Sequence, residues 1–337
     1  MPLMDEQRIQ QAVEILSQGG LVAIPTETVY GLAANAWNEE ACHEIFALKR
    51  RPPSNPLIVH VAQRGRLGDA VALPLPDKME QRLAAVADLW PGPLTLVLPR
   101  NPRLPRIVTA GQESVAVRIP SHPVALKLLA CCPFPLAAPS ANRSTGVSPT
   151  QAEHVRDEFG GDAPLVLEGG DCRCGLESTI VTLLEDEPRL LRFGAMPAEF
   201  LAHRWGISLD VLLREAAPSE GERGSNTVVP GQLKIHYAPR TAVWLLDDAP
   251  PVDRRRGRWG RICFHDPTDR EREEYAELCV ISRDDDSTEI AGRLFAALRE
   301  LDHLHLEGIV VDKCAEIGLG RAIMDRLRRA SANRSTS

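Results

Sequence analysis

The sequence predicts an α/β protein, in which a twisted mixed sheet with helices is followed by a smaller α/β unit. Three observations carry that expectation. Short runs rich in Val, Ile and Leu alternate with segments whose apolar residues recur every three or four positions. Of the 337 residues, 44% are hydrophobic and 25% charged, the composition of a chain that can bury a core. Between Ala216 and Gly231 the sequence turns to Pro, Ser, Gly and charge, which reads as a connector. The expected division is a first unit over 1–206, a linker over 207–240 and a second unit over 241–337.

The elements follow in order. Ile9, Val13 and Leu16 share a helical face, Asp5 can cap and Gly19-Gly20 stops the helix, predicting one over Asp5–Gln18. Leu21–Ile24 reads as a short buried strand. Asn38 can cap a helix through Leu48 with Ala41, Ile45 and Leu48 inward, ended by Pro52-Pro53. Leu57–Val61, Leu94–Leu98 and Val115–Ile119 are strands. A helix over Asp77–Leu89 separates the first two, and a Pro/Arg-rich loop over Pro99–Gly111 the last two. His122–Ala130 and Gln151–Phe159 read as helices. Leu136–Ala138, Leu165–Leu167, Ser178–Leu183 and Leu190–Arg192 read as strands, and Pro197–Trp205 and Leu209–Glu215 as helices. Beyond the connector, Ala242–Leu246, Arg261–His265 and Ile309–Val311 are strands. Ser287–Leu301 is a helix presenting Ile290, Leu294, Leu298 and Leu301 on one face. Gly318-Leu-Gly320 opens a last helix through Arg329. The runs Arg254–Arg256 and Asp284–Asp286 read as solvated loops.

Composition excludes some functions. A formal charge of −7 argues against avid non-specific binding to a polyanion, and 4% aromatics argue against a many-ring base-stacking platform. The eight cysteines are scattered and form no C-x-x-C, which suggests a reducing compartment and no zinc or thioredoxin-type spacing. The start of the chain turns polar at once and lacks an apolar signal core. Ala125–Pro139 is interrupted by Lys127 and three prolines. A cytoplasmic protein without a membrane span is expected.

Common catalytic signatures are missing. There is no Walker A, no G-x-G-x-x-G after the first strand, no G-x-S-x-G and no H-E-x-x-H. Charge, however, is uneven. From Lys49 to Arg118 the chain holds eleven basic and five acidic residues, a local +6. Lys49-Arg50-Arg51 ends a helix, and Arg118 alternates with Val and Ile in a strand, so it must face solvent or a cleft. These cations either complement a helix dipole or build a site for phosphate or carboxylate. Hydroxyl residues gather at strand ends in Pro25–Gly31, Pro139–Ser148 and Glu177–Ile180. Taken singly, each loop is explained by turn and cap chemistry; together they could line a crevice at the sheet edge. His60 sits in an apolar strand, where a lone histidine is either a core residue or a ligand contact.

The joint pattern is specific. Pro25-Thr-Glu-Thr-Val-Tyr-Gly-Leu32, Lys49-Arg-Arg51 followed by Asn55-Pro-Leu-Ile-Val-His60, Trp90-Pro-Gly-Pro93, Val115–Pro120, Pro139-Ser-Ala-Asn142 and Leu191-Arg-Phe-Gly194 occur in order. This chain resembles the YrdC-type threonylcarbamoyl-AMP synthases in their long two-domain form. Lys49, Arg51, Ser140 and Asn142 match the family's Lys-x-Arg and Ser-x-Asn signature. Pro230–Pro239 is similar to the family's interdomain segment, and Ala291–Arg299 and Gly318–Arg328 to its C-terminal domain. Val252–Arg283 matches nothing in that pattern.

The resemblance implies a YrdC-like sheet with a deep, positively lined concave face and a Rossmann-like second domain. It implies an enzyme, a nucleotidyltransferase that condenses L-threonine, bicarbonate or CO2 and ATP into threonylcarbamoyl-AMP and pyrophosphate for tRNA threonylcarbamoyladenosine modification. Mg2+ is expected with ATP, and a separate threonylcarbamoyl transferase complex downstream. Direct contact with tRNA is left open. Lys49 and Arg51 are the expected catalytic cations at the ATP phosphates, assisted by Asn55. Ser114, Ser140, Ser148 and Arg192 are expected at the nucleotide, with Asn142 ordering the Ser140 loop or joining that site. His236 and Tyr237 are expected to close over it. Arg118 is expected to clamp the threonine carboxylate, with Thr28, His60, Ser178 and the Ala138 backbone lining that pocket.

A concave basic module for double-stranded RNA conflicts with the net charge. A related carbamoyl transferase using carbamoyl phosphate or carbamoyl-AMP would carry zinc-finger cysteine spacings that are missing here. A Rossmann dehydrogenase lacks its fingerprint.

Overall fold

The computed structural model describes residues 2–215, 237–252, 255 and 257–332. The connector expected over Ala216–Gly231 and His236 lie outside them. In the first unit, α1 (Pro2–Ser17) leads into β1 (Val22–Ile24) and β2 (Gly31–Asn35), and α2 (Glu39–Lys49) into β3 (Ile58–His60). Helix α3 (Asp77–Ala85) precedes β4 (Leu94–Pro99) and β5 (Ser114–Arg118), and α4 (Pro123–Cys131) precedes β6 (Leu136–Ala137). Then come α5 (Ala152–Phe159), β7 (Leu165–Val166), β8 (Thr179–Thr182), β9 (Arg189–Arg192), α6 (Ala198–Trp205) and α7 (Leu209–Leu213).

The strands form one mixed sheet in the order β7-β1-β2-β6-β3-β5-β4-β8-β9. Its central strands are each sided by their period of two. Val59, Val117, Leu94, Leu96, Leu98 and Val181 point into the main core with Ile45, Phe46 and Leu83 from the helices. Ile58, Ala116, Val97 and Ile180 form a small apolar patch on the other face. The site described below sits beside that patch.

Helix starts agree with their capping residues. Asn38 Oδ1 accepts the Ala41 N–H at 3.0 Å, and His122 Nδ1 accepts Val124 N–H at 3.2 Å. Three local expectations needed revision. Helix α1 begins at Pro2, so Asp5 lies inside it rather than at its cap. The α-helix expected to Leu89 stops at Ala85 and continues as a 3₁₀ turn over Ala87–Leu89. Strand β2, Gly-Leu-Ala-Ala-Asn, was not foreseen because it lacks β-branched residues. It forms because β1 and β6 pair with it from both sides.

The second unit holds β10 (Val243–Leu245), β11 (Trp259–Cys263), α8 (Asp269–Glu274), β12 (Glu277–Val280), α9 (Ser287–Asp302), β13 (Gly308–Val311) and α10 (Leu319–Ser331). Its sheet order is β10-β13-β11-β12 and every neighbouring pair is parallel, as a Rossmann-like unit requires. Gly320 permits the start of α10, since a Cβ there would fall 1.8 Å from the Ala315 carbonyl oxygen. Helix α8 and strand β12 were not foreseen. The capping box Thr268-x-x-Glu271 that opens α8 was nevertheless legible. Of the expected solvated runs, Asp284–Asp286 is exposed, and Asp286 also caps α9 through Thr288 N–H and Glu289 N–H. Arg255 departs from the expectation: it is half-buried over the rings of Trp259 and Tyr275.

The two units share a core. Val29, Val147 and Leu176 of the first cluster with Tyr237, Leu294 and Phe295. Ion pairs Arg299–Glu158 at 2.8 Å, Arg321–Glu199 at 2.9 Å and Arg326–Glu177 at 3.0 Å cross the same boundary.

Candidate active site

Register builds the site. His60 is the Cα partner of Arg118, Arg118 of Thr95, Thr95 of Ile180 and Ile180 of Arg192. Register partners face the same way, so one row across β3, β5, β4, β8 and β9 projects His60, Arg118, Thr95 and Arg192 from one face. A pocket opens over this row, lined by His60, Arg118 and Arg192, with Thr95 buried behind Ser178. Its other walls are Thr26, Thr28 and Val29 after β1, Gly31 opening β2, Ile58 of β3, Ala138 to Ser140 after β6, Glu177 and Ser178 before β8, and Arg51 and Tyr237.

Arg118 organises one end. Its Nη1 donates to Thr28 Oγ1 at 2.9 Å, its Nε to the Gly92 carbonyl at 3.2 Å, and its Nη2 lies 2.7 Å from Glu27 Oε1. The other Glu27 oxygen accepts the Ser121 N–H at 3.0 Å. Burial alone would raise the Glu27 carboxyl, but the Arg118 charge and hydrogen bonds outweigh it and hold it below the ordinary value. Thr28 and Thr26 hydroxyls meet at 2.8 Å, and Ser178 Oγ meets Thr95 Oγ1 at 2.7 Å. The result is a small, hydroxyl-lined end with a guanidinium floor.

The other end carries Arg51 and Arg192. Arg50 caps α2 in the left-handed region at φ 50°, which turns the chain so that Lys49 and Arg51 both point inward while Arg50 is exposed. Arg51 donates Nε to the Asn55 carbonyl at 2.9 Å and Nη2 to Asn55 Oδ1 at 2.6 Å and the Pro56 carbonyl at 2.7 Å. Burial, joined by the Arg192 charge, pulls Arg51 down to about 9. Burial likewise lowers Arg192 to about 10, and its Nε and Nη2 donate to the Ser178 carbonyl at 3.1 and 2.8 Å. Like charges held in a dry cleft favour an anionic guest. Gly194 lets the chain after β9 lie flat on this wall: a Cβ would sit 2.4 Å from the Glu177 carbonyl oxygen.

The expected site residues thus divide. Thr28, Arg51, His60, Arg118, Ala138, Ser140, Ser178, Arg192 and Tyr237 line the pocket. Lys49, Asn55, Asn142 and Ser148 stand behind its walls. Lys49 Nζ, rather than facing the cavity, donates to the Ser140 carbonyl at 2.6 Å and to the Asn142 carbonyl. Burial, with the Arg51 charge added, pushes its ammonium well below the ordinary value. Asn142 Nδ2 donates to the Arg143 and Gly146 carbonyls, so it orders the loop. Ser148 Oγ donates to Glu177 Oε1 at 2.6 Å. Ser114 opens the far end of β5, roughly 13 Å along the strand from Arg118. Continued two residues, the β3–β5 register sets it level with Pro56, beside the Arg51–Asn55 bond. His236 lies outside the described residues.

The structure adds Glu27, Thr95, Glu177 and Arg326, none of which the sequence singled out as a site residue. Glu27 and Glu177 sit inside quoted motifs. Thr95 and Arg326 carry no local signal, since only register and domain packing bring them in.

His60 is 3% exposed, and its Nδ1 has no hydrogen-bond partner among the described residues. Burial pushes its imidazole down to about 3, with Arg118 acting in the same direction. The unfolded chain therefore takes up this proton near pH 6.5, while the folded chain does not until near 3. Stability rises with pH across that window. Relative to His60→Asn, wild-type unfolding free energy is expected to fall by up to about 1.4 kcal/mol per pH unit below that value. Urea unfolding of both proteins measures it, and parallel curves would contradict it.

The family model described as "Telomere recombination" (Sua5/YciO/YrdC) matches residues 14–194. That described as "Threonylcarbamoyl-AMP synthase, C-terminal domain" matches residues 207–332. A Pyrococcus abyssi protein named threonylcarbamoyl-AMP synthase is 39% identical over 98% of this chain and 96% of its own. A Bacillus subtilis protein of the same name is 36% identical over 98% and 94%. The crystal structure of P. abyssi Sua5 complexed with L-threonine superposes with a TM-score of 0.82 and 38% identity, covering 97% of this chain and 94% of that one. With two family models matched in order and this identity along nearly its whole length, the chain belongs to the Sua5/YciO/YrdC family of threonylcarbamoyl-AMP synthases, in its two-domain form.

Proposed function

We propose that this chain is an L-threonylcarbamoyladenylate synthase, a nucleotidyltransferase that supplies threonylcarbamoyl-AMP for tRNA modification. L-threonine, bicarbonate and ATP give threonylcarbamoyl-AMP, pyrophosphate and water. The observation that carries the reading is the row His60, Arg118, Thr95 and Arg192, which joins a small hydroxyl-lined end to a two-arginine end within one pocket.

In this reading the threonine carboxylate lies on Arg118, with Thr28, His60, Ser178 and the Ala138 backbone around the amino acid. Its amine and bicarbonate, or CO2, form a carbamate. A carbamate oxygen then attacks the α-phosphorus of ATP and pyrophosphate leaves. Every group near the phosphorus is anionic, so Arg51 and Arg192 offset repulsion as charge moves onto the leaving oxygen. Asn55 holds Arg51 for that task, Lys49 and Asn142 shape the Ser140 loop against the nucleotide, and Ser114 and Ser148 support its far side and wall. Orientation of this kind can contribute about 7–11 kcal/mol. Neutral His60 serves as a hydrogen-bonding wall rather than a cation.

Mg2+ enters as the companion of ATP. Such an ion is held chiefly by the substrate phosphates, with one or two carboxylates at most from a protein. The unstable product passes to a threonylcarbamoyl transferase complex. A cytoplasmic setting agrees with eight free cysteines. No helix among the described residues is long and apolar enough to cross a membrane.

Pyrophosphate release by the purified chain is expected to require ATP, threonine and bicarbonate together. Release of the same rate without threonine would overturn the proposal.

A further inference from the structure

The second unit packs against the pocket walls, and one of its contacts is a buried cation. Arg326, on α10, is 1% exposed, an unusual place for a guanidinium. Every edge of it is engaged. Nε donates to Glu177 Oε2 at 3.0 Å, Nη2 to the Phe193 carbonyl at 2.8 Å and Nη1 to Asp325 at 2.7 Å. Its central carbon stands 5.0 Å from the Tyr237 ring centroid. Glu177 and Tyr237 are pocket walls, and Phe193 follows Arg192 directly. Tyr237 also stacks on Phe295 of α9, with centroids 5.5 Å apart and planes 18° from parallel. Its backbone φ is 62°, a conformation that a bulky residue rarely adopts unless its surroundings hold it there.

We infer that Arg326 is a positioning residue for the nucleotide end of the site. It sets the Glu177 carboxylate, the Tyr237 ring and the strand end that carries Arg192 in one arrangement. A hydrophobic side chain could fill the same volume, but it could not bind a carboxylate, a carbonyl and a ring face at once. Lysine keeps the charge and loses the planar fork. Among the described residues, the threonine end, built on Thr28, His60 and Arg118, shows no bond to Arg326. Through Arg326, then, the second unit acts on the nucleotide end rather than on the amino-acid end. This inference rests on the proposed synthase reading.

The test is steady-state pyrophosphate release by the full chain, varying ATP and threonine separately. Arg326→Lys and Arg326→Met are expected to raise KM for ATP about tenfold or more while KM for threonine moves less than about twofold. Arg321→Ala, which breaks the half-exposed Arg321–Glu199 pair across the same boundary, is expected to change neither. Adding Tyr237→Leu to Arg326→Lys is expected to raise KM for ATP no further than the larger single effect. Should Arg326→Met fail to fold, Arg326→Lys, which retains the buried charge, decides. An unchanged KM for ATP, equal losses for both substrates, or additive effects of the two substitutions would overturn the inference. If the wild-type chain shows no threonine-dependent release, the synthase reading itself falls.

Discussion

Replacing Arg118 by alanine is expected to raise the threonine concentration needed for half-maximal pyrophosphate release by about 100-fold or more, with little change for ATP. The reason is the division of labour across the pocket. Arg118 Nη1 and Nη2 sit among Thr28 and Glu27 at the hydroxyl-lined end, while Arg51 and Arg192 occupy the other. Hydrogen bonds to a charged group are worth about 1.5–3 kcal/mol each, and a bidentate clamp makes two. A second cost comes from Glu27, which is 3% exposed and would be left without its cation. Removing one partner of a buried pair typically costs about 3–5 kcal/mol, so the single variant should also melt at lower temperature. The double variant Arg118→Met with Glu27→Gln separates the two effects: it should recover much of the stability and none of the threonine affinity. Equal losses for threonine and ATP in the double variant would contradict the clamp.

Lys49→Met is expected to lower the rate at saturating threonine by about 100-fold or more through loss of nucleotide-loop geometry rather than loss of a surface charge. Lys49 is 1% exposed, and its Nζ ties the Ser140 and Asn142 carbonyls together. The Lys49 carbonyl in turn accepts the Ser144 N–H at 2.7 Å. Methionine fills the volume but donates nothing, and each buried carbonyl left without a donor costs about 1–3 kcal/mol. Initial rates at several ATP concentrations, with thermal melting alongside, measure the effect. A variant with lowered melting temperature and an undiminished rate would remove Lys49 from the site.

How far such roles were legible differs residue by residue. The alternation in Val115–Ile119 already required Arg118 to face solvent or a cleft, and the structure gives it the cleft. Lys49 and Arg51 were picked out by charge, yet their arrangement depends on Arg50 taking a left-handed φ at the helix end, which lets two residues on either side both turn inward. Ser148 and Asn142 were named as nucleotide contacts or loop supports. Their hydrogen bonds to Glu177 and to the Arg143 and Gly146 carbonyls place them in the scaffold. Strand β2 escaped notice because Gly31, Ala33 and Ala34 have weak strand preference and are held by neighbours distant in sequence.

The sequence by itself determined what depends on neighbours along the chain. The helix cap at Asn38, the strands β3, β4, β5 and β8, the α/β class and the surplus of cations from Lys49 to Arg118 all follow from spacing and side-chain chemistry. Only the tertiary structure decided which faces meet. Strand order places His60, Arg118, Thr95 and Arg192 in one row although the first and last of them are 132 positions apart (192 minus 60). Domain packing brings Arg326 to Glu177, 149 residues away. Such meetings are set by burial of apolar faces summed over the whole sheet, a quantity that no local window contains.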